Sequence, residues 1–155
     1  MAGFETRLSL IDETATVELG ARIAEVLAPG DVIAISGVLG AGKTVLARAI
    51  LRALGVTENV PSPSFTLVQA YDTPRLRVHH FDLYRIENAR ELTELGLDDA
   101  LEGGALLIEW PERGTPRRLL ADALKIALSP AGETSRQAQL SGPARWRDAF
   151  AGFPS

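Results

Sequence analysis

Asp31-Val-Ile-Ala-Ile-Ser36 runs directly into Gly37-Val-Leu-Gly-Ala-Gly42-Lys43-Thr44, and from Lys43 to Leu54 the apolar residues Leu46, Ile50 and Leu54 share one helical stripe before Gly55. The first stretch is short, β-branched and nearly all apolar, as a central strand covered on both faces requires. The second matches G-x-x-x-x-G-K-S/T at every fixed position and lies between strand and helix, the context this pattern needs. Around such a loop the backbone at Gly37, Leu39, Gly40, Ala41, Gly42, Lys43 and Thr44 encloses an oxyanion, and the dipole of the following helix adds partial positive charge. Lys43 is expected to reach the β and γ phosphates of a nucleotide and the Thr44 hydroxyl to ligate Mg²⁺. The guanine-reading N-K-x-D is absent, since neither lysine, Lys43 or Lys125, has an aspartate two positions later. ATP is therefore the expected nucleotide.

Outward from this core, Thr6 to Ile11 alternates as a short strand, and Asp12 is placed to cap a helix whose stripe is Leu19, Ile23, Val26 and Leu27, stopped by Pro29-Gly30. On the other side, Pro61 and Pro63 impose an irregular stretch. Phe65 to Tyr71 and Leu76 to Tyr84 then read as strands joined at Asp72-Thr-Pro74. Asn88 is placed to cap a helix to Leu95, with a further turn at Leu97 to Leu101. Ala105 to Trp110 is a second buried strand; Ala123 to Leu128 and Gln137 to Leu140 form an antiparallel pair around Pro130-Ala-Gly132, and a short helix spans Pro143 to Phe150. The expected fold is α/β, a single P-loop NTPase-like domain with a mixed central β-sheet flanked by helices.

A nucleotide site of this kind needs an acid at the end of a neighbouring buried strand to complete the Mg²⁺ site, usually through water, and Glu109 fits that Walker B role. Only one acid stands there, so another group has to position water. Asp82, within His79-His80-Phe-Asp-Leu-Tyr-Arg85, is the candidate, because a carboxylate in an apolar strand costs stability unless paired or functional. An ion pair with Arg85 or a solvent-facing strand position is the alternative. Adjacent His79 and His80 face opposite sides of a strand and read as one core and one surface histidine rather than a metal pair. Ser62-Pro-Ser64-Phe-Thr66 is a hydroxyl-rich loop that either closes on a γ-phosphate or caps backbone groups in a proline turn. Trp110, beside Glu109, is expected to be partly exposed near substrate or partner.

With 155 residues, 46% apolar and 23% charged, the chain has the size and composition of one domain, taken as 1–155 with its motif-bearing core at about 8–140. A net charge of −4 argues against gripping nucleic acid unaided, because backbone phosphates demand clustered Lys and Arg. Cysteine is absent, which removes disulfides and thiolate chemistry. No signal peptide or run of ~20 apolar residues is visible. The cytoplasm, with no membrane association, is the expected location.

Gly37 to Thr44, Ser62-Pro-Ser-Phe-Thr-Leu-Val68, His80-Phe-Asp-Leu-Tyr-Arg85, Glu91-Leu-x-x-Leu-Gly-Leu97 and Leu107-Ile-Glu-Trp110, in this order, resemble the TsaE family. That family is the bacterial ATPase subunit of tRNA threonylcarbamoyladenosine synthesis. The resemblance implies a partnership with the TsaB and TsaD subunits, in which TsaD modifies the adenosine beside the anticodon and ATP hydrolysis here supports repeated turnover. Contact with tRNA is then indirect. By position it assigns Lys43 to phosphate, Thr44 and Glu109 to Mg²⁺, Asp82 to hydrolysis, and Ser62, Ser64 and Thr66 to a switch-like loop. It also places Trp110 beside the Walker B acid and nominates Glu13, at the start of the first helix, for adenine contact. Val38 departs from the family's usual Asp and Ser64 from its usual Thr, while Ser141 to Ser155 carries no matching motif.

Other functions remain open on the residues alone. A small-molecule P-loop kinase would use Arg113 to Arg118 as its lid, and a nucleotide-dependent binding module would need no hydrolysis.

Overall fold

A computed structural model of the chain describes residues 3–63, 66–88, 90, 91 and 96–155. In chain order the elements are β1 (Gly3–Leu10), α1 (Glu13–Val26), β2 (Val32–Ser36), α2 (Lys43–Ala53), β3 (Val68–Asp72), β4 (Arg77–Asp82), α3 (Leu97–Leu101), β5 (Gly104–Glu109), α4 (Arg117–Leu120), β6 (Leu124–Pro130) and β7 (Arg136–Pro143). Among the described residues the strands form one seven-stranded sheet in the order β1-β7-β6-β2-β5-β4-β3. The central run β6, β2, β5 and β4 is parallel, whereas β3, β7 and β1 join by antiparallel pairing. The fold is α/β with a mixed sheet, as expected.

Burial of β2 and β5 on both faces explains their unbroken apolar sequence. Ile33, Ile35, Ala105 and Leu107 pack on one face with Leu19 and Ile23 of α1 and Leu46 and Ile50 of α2. Val32, Ala34, Leu106 and Ile108 pack on the other with Phe81, Leu97 of α3 and Leu119 of α4. The period-two alternation thus divides the interior into two layers of core, one on each side of the sheet. Asp12 caps α1 as read from the sequence, its Oδ1 accepting from the Ala15 N–H at 2.9 Å. Asn88 Oδ1 accepts from the N–H groups of Arg90 and Glu91 at 3.0 and 3.3 Å, while residues 89 and 92–95 of the expected helix lie outside the described residues.

Several boundaries differ from the sequence reading, each for a tertiary reason. β1 begins at Gly3 rather than Thr6, because β7 continues to Pro143 and supplies a partner for every added residue. The strand expected from Phe65 starts at Val68; Leu67 adopts a left-handed backbone (φ 67°), and Phe65 lies outside the described residues. β4 stops at Asp82 instead of Tyr84, since Leu83 and Tyr84 turn and Ile86 N–H returns to Leu83 O. Pro130 belongs to β6, paired with Arg136, so the hairpin turns over 131–135, closed by Ala131 N–H to Ser135 O. The short helix read over Pro143 to Phe150 is a 3-10 segment, Ala144–Phe150; it buries Trp146 and Phe150, the latter stacked on Phe4 of β1.

Candidate functional site

The four parallel strands direct their carboxyl ends to one edge of the sheet, so Ser36, Asp82, Glu109 and the end of β6 converge there. In open α/β sheets this edge is where a crevice forms. The glycine loop fills the gap between β2 and α2. A Cβ at Gly37 would sit 2.6 Å from Leu128 O, so only glycine lets the chain leave β2 this close to β6. Gly42 enters α2 with φ 100°, and no side chain caps the helix start. The first N–H groups of α2 are therefore available to an acceptor in the crevice.

Lys43 is 5% exposed, and its Nζ donates to Gly37 O at 2.7 Å and Val38 O at 2.8 Å while lying 4.3 Å from the centre of the Trp110 ring. Burial pulls its pKa below the ordinary lysine value, and Glu109, Glu112 and Asp82 oppose that shift. Thr44 Oγ1 donates to Glu109 Oε1 at 2.9 Å, joining the loop to the end of β5. Register sets the remaining neighbours: Asp82 pairs with Glu109 across β4 and β5. Asp82 does not interrupt its strand, as the sequence suggested, but ends it. There Oδ1 accepts from Tyr84 N–H at 3.0 Å and Oδ2 from Ser62 Oγ at 3.2 Å.

Lys43, Thr44, Asp82, Glu109, Ser62 and Trp110 thereby line one open cavity of about 350 Å³, together with Leu39, Gly40 and Gly42 of the loop. That is the size range of small-molecule sites. Ala41 is fully buried, and neither it nor Gly37 lines this cavity. Trp110 has a left-handed backbone (φ 58°) and tilts against Tyr84 at 4.9 Å, with the Arg113 guanidinium over both rings. Thr66 is exposed and does not line this cavity, while Ser64 lies outside the described residues. Glu13 lines a neighbouring cavity of about 480 Å³ that shares Gly42, Val45 and Arg136 with the first.

Three residues of the site escaped the sequence reading. His80 is fully buried with Nε2 2.6 Å from Glu109 Oε2; its spacing of two from Asp82 already placed both on one face of β4. His79, on the opposite face, stacks on Phe81 and is half-buried rather than exposed. Arg136 donates from Nε to Ala41 O at 3.1 Å and from Nη2 to Gly40 O at 3.3 Å, bracing the glycine loop where the two cavities meet. Nothing local in the sequence around Arg136 marks this, because the contact exists only once the β6–β7 hairpin is formed. Tyr84 joins through the turn after β4. Of the expected lid, Arg118 is held in a bidentate pair with Asp98 at 2.6 and 2.8 Å, away from the cavity lining.

Comparison with known proteins bears on the fold and the family. A solved structure of Bacillus subtilis YdiB superposes with a TM-score of 0.78 at 27% identity, covering 96% of this chain and 93% of that one. Proteins named tRNA threonylcarbamoyladenosine biosynthesis protein TsaE are similar in sequence. That of Nostoc sp. is 37% identical over 141 residues, 88% of this chain and 85% of the relative. That of Rickettsia felis is 42% identical over 106 residues, which span 68% of this chain and 62% of the relative. The family described as threonylcarbamoyl adenosine biosynthesis protein TsaE matches residues 10–138. Since that match takes in the glycine loop, Asp82 and Glu109 and most of the fold that brings them together, the chain belongs to the TsaE family of tRNA threonylcarbamoyladenosine biosynthesis.

Proposed function

We propose that this chain binds Mg-ATP on Gly37 to Thr44 and hydrolyses it, and that it does so as the ATPase subunit working with TsaB and TsaD in the cytoplasm. The observation that carries the reading is the Thr44–Glu109 hydrogen bond, which places a hydroxyl and a carboxylate side by side beside the buried Lys43 amine. These are hard oxygen donors of the kind Mg²⁺ takes. Thr44 and Glu109 would hold that ion, which supplies charge neutralisation on the transferring phosphoryl group.

The chain's own residues supply positioning and electrostatics. Lys43 exchanges its two carbonyl acceptors for phosphate oxygens, and the free N–H groups at the start of α2 face the same anion. Asp82 orients the attacking water, with Ser62 tying the 61–63 stretch to it. Arg136 holds the carbonyls of Gly40 and Ala41, which fixes the peptide planes that carry the following loop N–H groups. Arg136→Ala is therefore expected to weaken nucleotide binding about tenfold, from the loss of roughly 1–2 kcal/mol of carbonyl anchoring, with unchanged helix content by circular dichroism. Titration calorimetry checks it. Among the described residues no helix is long and apolar enough to cross a membrane.

Purified protein should release phosphate slowly from Mg-ATP with no acceptor present. Consumption of ATP only when a metabolite is added would favour a kinase instead. Added to TsaB, TsaD and tRNA over many turnovers, the protein should raise the yield of modified tRNA; no gain would overturn the reading. Full support of modification by a variant that binds ATP without hydrolysing it would make it a nucleotide-dependent binding module.

A further inference from the structure

Both oxygens of Glu109 are occupied by donors. Thr44 Oγ1–H takes Oε1 at 2.9 Å, and His80 Nε2 lies 2.6 Å from Oε2. A hydroxyl that donates to Glu109 presents its lone pairs elsewhere, so the direction of Thr44 depends on where Glu109 holds its carboxylate. That carboxylate ends β5 on a side chain with several rotatable bonds, and only the second hydrogen bond fixes its plane. His80 provides it from the adjacent strand, since the β4–β5 register sets His80 opposite Leu107, one pleat before Glu109 on the same face.

The ring of His80 also carries a cost that packing does not explain. It is 0% exposed, and Nδ1 has no hydrogen-bond partner among the described residues. A phenylalanine or leucine would fill the same space with no buried polar atom left over. A carboxylate only accepts, so the proton shared with Glu109 belongs to Nε2.

We propose that His80 is a positioning residue: by donating from Nε2 it locks the Glu109 carboxylate so that Thr44 keeps its lone pairs turned to the cation site. This role rests on the nucleotide reading given above. It extends the working set from the glycine loop and Glu109 to a donor chain, His80 to Glu109 and Thr44 to Glu109, built across β4, β5 and α2.

The chain has only two histidines, His79 and His80, so their ring nitrogens are assignable by ¹⁵N NMR with His79→Gln as the reference. In the unaltered protein without nucleotide, His80 is expected as the Nε2–H tautomer, and Glu109→Ala should release that preference. His80→Phe removes the donor at similar volume, and His80→Gln returns an N–H near the Nε2 position. His80→Phe should raise the Mg²⁺ concentration for half-maximal phosphate release by about 10–100-fold, as loss of an outer hydrogen bond to a metal ligand typically does, with His80→Gln recovering most of it. Nucleotide affinity without Mg²⁺ should change less than about threefold, because Lys43 and the loop are untouched. An Nδ1–H tautomer, or an unchanged Mg²⁺ requirement in a folded His80→Phe protein, would overturn the proposal. If the unaltered protein bound no nucleotide, the ATPase reading would fall and the cation-site role with it; the resonance measurement needs no nucleotide, so the two failures are separable.

Discussion

Lys43→Ala is expected to weaken Mg-ATP binding by about 10²–10⁴-fold, from the loss of two charge-assisted hydrogen bonds at roughly 1.5–3 kcal/mol each. The amine is already in place under the loop, 2.7 and 2.8 Å from the carbonyls of Gly37 and Val38, so little ordering is needed when phosphate oxygens replace them. The preformed arrangement is what makes the expected loss large. Lys43→Arg should not restore binding, because a planar guanidinium does not fit a space shaped for a compact ammonium between the loop and the Trp110 ring. Titration calorimetry reads the effect directly. Affinity retained within about threefold in a folded Lys43→Ala protein would remove the glycine loop as the phosphate site. The protonated amine is the binding form, and burial lowers its pKa. Affinity of the free protein should accordingly fall on the alkaline side sooner than an exposed lysine would allow.

Glu109→Gln is expected to lower the rate of phosphate release by about 10²–10³-fold while nucleotide still binds without Mg²⁺, the range seen when a preorganised electrostatic group is lost. The substitution conserves shape but not hydrogen-bond character. Glu109 accepts from Thr44 and is paired with His80, whereas an amide offers one accepting and one donating end. One of the two contacts must therefore be rearranged or given up. The change also removes the charge that most opposes the lowering of the Lys43 pKa, so that amine should titrate lower still in the variant. Single-turnover measurements separate the chemical step from binding. Unchanged turnover would show that Glu109 is only a buried strand end.

What could be read before folding was local. Val32 to Ser36, the loop and α2 are contiguous, and the glycines at 37, 40 and 42 mark backbone that other residues adopt only with strain. The stripe Leu46 and Ile50 was legible from its helical spacing, and the cap at Asp12 because its partner, the Ala15 N–H, lies three residues on. Glu109 was legible because a charge that closes an apolar strand is conspicuous. Asp82 was found as a residue, but its reading as an interruption was wrong, because the end of β4 is decided by the turn at Leu83 and Tyr84.

The sequence by itself thus determined a strand, a glycine loop and a helix, with an acid to be delivered from elsewhere. The tertiary structure decided what is delivered and by which neighbours. Strand order puts β6 beside β2, so the β6–β7 hairpin brings Arg136 against the loop, 95 residues along the chain from Ala41. Strand register puts His80 within hydrogen-bond reach of Glu109, 29 residues away. Order and register are set by which apolar faces meet in the two layers of core, a property of the whole sheet that no short window of sequence contains.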